Sequence, residues 1–404
     1  MKIQRVAWTG PSSNARDPNL LAPNTLGYRC ISPAKINLFL EIHGKRSDGY
    51  HNLDTVMLAI DLTDTLEIYP RESDELTMEL DLSEAQQVGQ RELARLDPTW
   101  DIPTQAAGSS SHCGSSTGSG AGSGAGSNAG ANLVLKALDA LRRALDSEPL
   151  SSPDRGKRCG AHVVLRKRIP SQAGLGGGSS DAAAALVLGA LLWQERFDIT
   201  WLARIAMQLG SDINFFLEGH NGKNWTARCT QRGEIVQPIA NAIPIHGLVV
   251  HPPAGCPTGK VFAHLQESLD ERSVRETPDR LIAFLESPTG IDSQGRATPR
   301  AIGRNDPNMP AQLARLLYNR LETAASQSTP WIERTSRRID RCDLLGQCLC
   351  GSGSARFALC SERAQAEALA LDLQREGEFR AYPFSAWTSP SLGKQVSIIT
   401  HSRT

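Results

Sequence analysis

The chain has 404 residues, with 43 Lys and Arg against 43 Asp and Glu. At roughly 100–200 residues per domain, that length predicts two domains, or two and an insertion. A formal net charge of zero argues against binding nucleic acid or anionic membrane through global positive charge, but leaves room for a local anion site.

The 40% hydrophobic and 21% charged content supplies a real core. The longest apolar run, Ala182 to Trp193, is too short to span a bilayer. Met1 to Pro11 lacks the apolar region of a secretory signal. Nine cysteines, odd in number, scattered and without a Cys-x-x-Cys pair, predict reduced thiols in a cytoplasmic protein rather than a zinc site.

Residues 1–27 are rich in Pro, Asn and Ser without a period and read as an irregular extension. Ile36, Leu38, Leu40 and Ile42 then alternate with their neighbours, as in a half-buried strand. Val56 to Ile60 and Thr65 to Tyr69 read as two further strands, and Glu75 to Leu82 as another. Such an early run of strands points to an antiparallel or mixed sheet. Residues 83–131 break the rhythm. Gly108 to Gly130 is nearly all Gly, Ser and Ala, which cannot bury enough apolar area to offset its ordering entropy, so it reads as a surface loop. The Gly-x-Ser-x-Gly match at Gly114 to Gly118 lies inside it, without the strand and helix a nucleophile elbow needs.

Asn132 to Leu145 is an amphipathic helix with Asn132 as N-cap, and His162 to Leu165 a short strand. Helices follow over about Ser180 to Trp193, Thr200 to Leu209, Thr258 to Leu265, Pro310 to Ala325 and Ala364 to Arg375. Leu248 to His251 is a strand, Leu344 to Leu359 a strand, glycine turn and strand, and Gln395 to Thr400 a last strand. Helices and strands mix without strict alternation, so the fold class is α+β.

The most informative segment is Lys167 to Ala185. Gly174, Gly176, Gly177 and Gly178 stand directly before a strong helix former. Glycines let successive N–H groups converge on an anion, and the helix start adds unpaired N–H groups and the positive end of its dipole. Ser179 and Ser180 add hydroxyls for phosphate or magnesium. No Gly-Lys here is followed by Ser or Thr, so this is not a Walker A loop. Ser179 stands where a dinucleotide turn has its third glycine. A tight strand-to-helix turn without a ligand is the bland alternative; three adjacent glycines and two serines favour a phosphate cradle.

Pro170-Ser171-Gln172-Ala173-Gly174-Leu175-Gly176-Gly177-Gly178-Ser179-Ser180 resembles the ATP-phosphate loop of the GHMP small-molecule kinases. Pro33 to Leu40 and Arg46 to Leu53, with its Asp48-Gly49-Tyr50-His51, are similar to the branch that phosphorylates a cytidine diphosphate-linked methylerythritol. Leu209 to Phe216 matches the segment carrying the catalytic aspartate, and Gly351-Ser352-Gly353-Ser354 the third glycine motif. The four elements stand in family order and cover most of the chain outside residues 1–27 and 83–131.

The resemblance implies a two-domain GHMP fold with a cleft between domains. A nucleotide-binding domain would span about 28–243, with 83–131 as insertion, and an acceptor-binding domain 244–404. It implies ATP and Mg²⁺, with Pro170 to Ser180 on the phosphates, Ser180 as a magnesium contact and Asn132 on the adenine side. Asp212 would be the general base and Lys35 its electrostatic partner. Tyr50 and Phe262 would sandwich the cytosine, His51 would bond the base edge, Asn37 would place the acceptor, and Gly351, Ser352 and Gly353 would form a further nest of N–H groups. The partner is thus a small molecule, not nucleic acid or membrane. Arg356 stands where a small or β-branched residue is expected, and Asn221 to Arg232 is poor in glycine for its hairpin. Two rivals remain: a GHMP kinase for another alcohol, such as a mevalonate-type acceptor, and a non-catalytic nucleotide sensor. An added interaction role for the insertion also stays open.

Overall fold

The computed structural model describes residues 2–7, 25–47, 49–82, 132–147, 159–193, 197–219, 225–241, 243–268, 276–287, 289–291, 297–301 and 308–387. The Gly/Ser/Ala-rich stretch, the Gly-x-Ser-x-Gly match and the strand expected over 395–400 lie outside the described residues.

Five strands form the spine of the first sheet: β1 (Lys2–Ala7), β2 (Leu26–Lys45), β3 (His51–Arg71), β4 (Leu76–Asp81) and β5 (Gly160–Arg166), in the order β1-β2-β3-β5-β4. β2 and β3 pair antiparallel from Tyr28 opposite Ile68 to Lys45 opposite His51, with irregularities at Pro33/Ala34, Asn37/Phe39 and Ile42/Gly44. The second half of β3 pairs with β5, and its first half with β6 (Thr226–Gln231), which pairs in turn with β7 (Ile235–Pro238). β4 lies parallel to β5, so the sheet is mixed.

Alternate residues of β3 feed two different cores. Met57 and Ala59 join the helices α1 (Leu133–Ser147) and α2 (Gly177–Trp193) on one face. Val56, Leu58 and Ile60 join Val249, Phe357 and Phe384 on the other. This is the period of two of a strand, with both faces covered. It explains why Ser32 to Ile42 of β2 is buried throughout rather than half-buried. α2 is Ala-rich, suited to a helix and apolar on every side, as a helix sealed in a core must be. A side chain at Gly189 would meet Leu138 and Leu141 within 3 Å, so the glycine sets how closely α1 packs.

α3 (Ile199–Ala206) and α4 (Ile213–Glu218) follow α2. The second sheet is antiparallel: β8 (His246–His251) is flanked by β14 (Arg380–Ser385) and β13 (Arg356–Cys360), and β13 pairs outward with β12 (Gly346–Leu349). α5 (Thr258–Ser268), α6 (Asp279–Glu286), α7 (Met309–Ala314), α8 (Glu322–Ser328), α9 (Trp331–Ile339) and α10 (Arg363–Arg375) complete the helices. β9 (Thr289–Ile291) and β10 (Ala297–Ala301) form a separate pair. β11 (Tyr318–Asn319) crosses over to add a parallel neighbour to β2, and Trp387 N donates to Ala59 O at 2.8 Å. Both ties join the second sheet's half of the chain to the first sheet.

The fold is α+β with mixed and antiparallel sheets, as expected, but four local readings change. Lys2–Ala7 is a strand on the edge of the first sheet, not irregular chain. β3 is one strand of 21 residues where two were expected. The helix expected over Pro310 to Ala325 is two short helices with β11 between them. The last described strand is β14, whose Pro383 weakens its pattern in the sequence; β14 lies at a sheet edge, where proline is tolerated. Among the described residues no helix is long and apolar enough to cross a membrane, and every described cysteine is free.

Candidate active site

Two glycine-bearing segments meet at β2. The loop between β5 and α2 turns through Gly174 at φ +74 and Gly176 at φ +69, the left-handed region that favours glycine. A Cβ at Gly174 would lie 1.8 Å from the Cys350 carbonyl oxygen, so no side chain fits there. The loop is laced to both neighbours. Lys35 N donates to Leu175 O at 2.9 Å, Ser354 N to Gln172 O at 3.2 Å and Ala355 N to Ala173 O at 3.3 Å. The phosphate-loop motif, the Lys35 strand and the third glycine motif thus form one hydrogen-bonded unit.

Beside it opens a cavity of about 620 Å³. Lys35, Asn37, Tyr50, His51, Asp212, Phe262, Gly351 and Ser352 all line it, with Gly174 and Gly176 of the loop. Lys35 Nζ lies 3.5 Å from Asp212 Oδ2 and donates to Asn37 Oδ1 at 2.8 Å. Asn37 Nδ2 donates to Thr55 Oγ1, whose hydroxyl donates to Phe39 O, so the amide is held with its oxygen toward the ammonium. Lys35 is only 4% exposed, and a buried ammonium needs such partners. Asp212 occupies the N-cap position of α4 but makes no capping bond with its side chain. Its carboxylate, 28% exposed, is left to the cavity.

The aromatic residues are arranged around the same space. The rings of His51 and Phe262 lie 4.8 Å apart and tilted by 34°. The ring that Phe262 meets is therefore that of His51. Tyr50, 55% exposed, carries the Arg232 guanidinium 5.0 Å from its ring centroid. Burial, then the charge of Lys45, holds the His51 ring below the usual histidine range, so it is neutral at pH 7. Its Nε2 is buried with no hydrogen-bond partner.

The remaining loop residues do not line this cavity. Ser171, Gln172 and Gly178 are exposed and Ser179 half-exposed, whereas Pro170, Ala173, Leu175, Gly177 and Ser180 are buried. Ser180 Oγ has no partner. Gly353 packs near Ile332, Leu349 and Cys256. Asn132 is the N-cap of α1, its Oδ1 accepting from Val134 N at 2.9 Å, and does not line the cavity. Arg356 is buried, bonded to Gln347 Oε1 at 2.7 Å and paired with Glu322.

Several site residues escaped the sequence reading. Asn319 Nδ2 donates to Leu349 O at 2.9 Å and Gly351 O at 2.8 Å, fixing the third glycine turn from β11. Thr258 Oγ1 lies 2.9 Å from Ser352 Oγ, tying the start of α5 to that turn. Ser211 and Arg232 line the cavity. None of these carries a local sequence signal beyond its neighbourhood of a motif.

On a wider scale the fold and site define a GHMP kinase. The family models "GHMP kinases N terminal domain" and "GHMP kinases C terminal" match residues 132–220 and 300–378. A mevalonate kinase structure from Methanococcus jannaschii superposes with a TM-score of 0.52 at 14% identity, covering 89% of this chain and 98% of that one. A crystal structure of 4-(cytidine 5'-diphospho)-2C-methyl-D-erythritol kinase gives a TM-score of 0.57 at 24% identity, covering 89% and 100%. In sequence, 4-diphosphocytidyl-2-C-methyl-D-erythritol kinase of Pelotomaculum thermopropionicum is 31% identical, covering 86% of this chain and 94% of the relative. The enzyme of that name from Albidiferax ferrireducens is 33% identical, covering 82% and 84%. The chain belongs to the 4-diphosphocytidyl-2-C-methyl-D-erythritol kinase family.

Proposed function

We propose that this protein phosphorylates the 2-hydroxyl of 4-diphosphocytidyl-2-C-methyl-D-erythritol with ATP, in the non-mevalonate route to isoprenoid precursors. The observation that carries this reading is the Lys35–Asp212 pair, 3.5 Å apart, in a cavity that Tyr50, His51 and Phe262 also line. A phosphoryl transfer needs a base at the acceptor hydroxyl and a positive charge beside it. The aromatic residues beside that pair give a nucleobase something to stack on, which a bare mevalonate-type alcohol would leave unused.

In this mechanism the acceptor oxygen attacks the γ-phosphorus, the bond to the β-phosphate oxygen breaks, and ADP leaves. Asp212 takes the hydroxyl proton on its carboxylate. Lys35, 3.5 Å from that carboxylate, steadies the charge on the transferred group. Asn37, held by Thr55, orients the Lys35 ammonium. The N–H groups of Gly177 to Ser179 precede the first bond of α2, Ser180 N to Gly176 O at 2.9 Å, and suit the phosphates. Asn132 would stand on the adenine side. Magnesium, carried by the triphosphate, would offset phosphate charge, with the partnerless Ser180 hydroxyl as the loop's own oxygen for it. Domains divided near residue 243, and a cytoplasmic site of action for a protein whose described cysteines are unpaired, complete the proposal.

An acceptor screen with ATP tests it. The cytidine diphosphate-linked alcohol should be turned over, and cytidine nucleotides should compete with it. Turnover of a base-free alcohol without cytidine competition would favour the mevalonate-type rival.

A further inference from the structure

We propose that Arg232 holds the diphosphate of the acceptor; this rests on the reading above that the acceptor is a cytidine diphosphate-linked alcohol. The order of groups along such a molecule is base, ribose, diphosphate, alcohol. If the base stacks at Tyr50 and the alcohol meets Asp212, the diphosphate must lie between them.

Arg232 stands at that point. It begins the tight turn from β6 to β7, between Gln231 at φ +61 and Gly233 at φ +111. Gln231 adopts a conformation that side-chain-bearing residues rarely do. The turn abuts the Asp212 segment: a Cβ at Gly233 would lie 3.4 Å from Ser211 Cβ, next to Asp212. In the other direction the Arg232 guanidinium lies 5.0 Å from the Tyr50 centroid. One residue therefore touches the stacking ring while its turn touches the catalytic segment.

The side chain is held ready rather than used up. Arg232 N donates to Glu234 Oε2 at 2.7 Å and Arg232 Nε to Glu234 Oε1 at 3.3 Å. A guanidinium has five N–H donors in a fixed fork suited to phosphate. The Nε contact leaves those on the two terminal nitrogens. Charge points the same way. Among the described residues lining the cavity, the cations are Lys35 and Arg232, and Lys35 is engaged by Asp212 and Asn37. The diphosphate needs a cation of its own, and Arg232, whose ion pair with Glu234 runs through Nε, keeps its terminal nitrogens for it.

The test is calorimetric binding of cytidine and of cytidine diphosphate to the whole protein and to Arg232→Gln. A charge-assisted hydrogen bond is worth about 1.5–3 kcal/mol, so the diphosphate should bind about 10- to 150-fold more weakly to the variant. Cytidine should bind both proteins alike. Arg232→Lys should recover part of the loss, since it keeps the charge without the fork. In turnover, the acceptor KM should rise in Arg232→Gln while kcat and the ATP KM stay within about twofold. Equal cytidine diphosphate affinity in Arg232→Gln and the parent protein would overturn the assignment. A parent protein that binds neither cytidine nor its diphosphate would instead overturn the acceptor reading, and this inference with it.

Discussion

Two lysine–aspartate clusters flank neighbouring glycines of one loop, and they differ in what they leave free. At Gly176 the neighbour is Lys35, whose Cγ lies 2.9 Å from where a Cβ would stand. At Gly177, beyond the Ile169 side chain, it is Lys167, with Nζ 3.3 Å from that point. Lys167 bridges Asp64 and Asp181, bonding Asp181 Oδ2 at 2.7 Å, and both carboxylates are buried. Asp64 also accepts from Arg168 N at 2.6 Å and Ile169 N at 2.8 Å, which anchors the strand leading into the loop. Burial opposes the Lys167 charge, but Asp181 and Asp64 outweigh it and raise its pKa above the usual lysine value. The Lys35 cluster has one carboxylate rather than two, it faces a cavity, and Asp212 spends none of its lone pairs on a helix cap. Identical residue types thus do different work: where both carboxylates are buried and bridged by one lysine the cluster holds the loop, even though Asp181 Oδ1 keeps no partner, and where a carboxylate is left open to a cavity it can take a proton.

The comparison can be broken by substitution. Lys167→Met should cost about 3–5 kcal/mol of stability, because it leaves two carboxylates buried without their cation, and urea unfolding would read this directly. An unchanged midpoint would mean that the sealed cluster is not structural. Gly174→Ala should be next, at about 1–3 kcal/mol for a left-handed non-glycine residue, plus displacement of the third glycine turn from the Cys350 carbonyl. Its kinetic signature should be a raised ATP KM. A variant with parental stability and ATP KM would show that the two turns are not coupled.

The parts of the site that were legible in the sequence are those whose chemistry is local. Gly174 to Ser180 stands before a helix former, and Asp212 and Lys35 sit in short distinctive strings. Asn319, Thr258 and Arg232 were not legible, because each acts through a partner distant in the chain: Gly351, Ser352 and Tyr50. The fold behaves alike. The α+β class follows from how helices and strands are mixed, but β3 read as two strands because its two halves have different neighbours, β6 and β5. β1 was missed because six residues of mixed character become a strand only through pairing with β2. The run from Pro310 to Ala325 read as one helix because nothing local announces that Tyr318 and Asn319 will be drawn onto β2.

The central claim is that the open carboxylate does the chemistry. Asp212→Asn is the most direct measurement, since the amide keeps the shape and removes the base. Acceptor-dependent ATP turnover should fall by about 100- to 10 000-fold, the range of general-base catalysis, while thermal stability and cytidine diphosphate affinity stay at parental values. Parental turnover in Asp212→Asn would contradict the account.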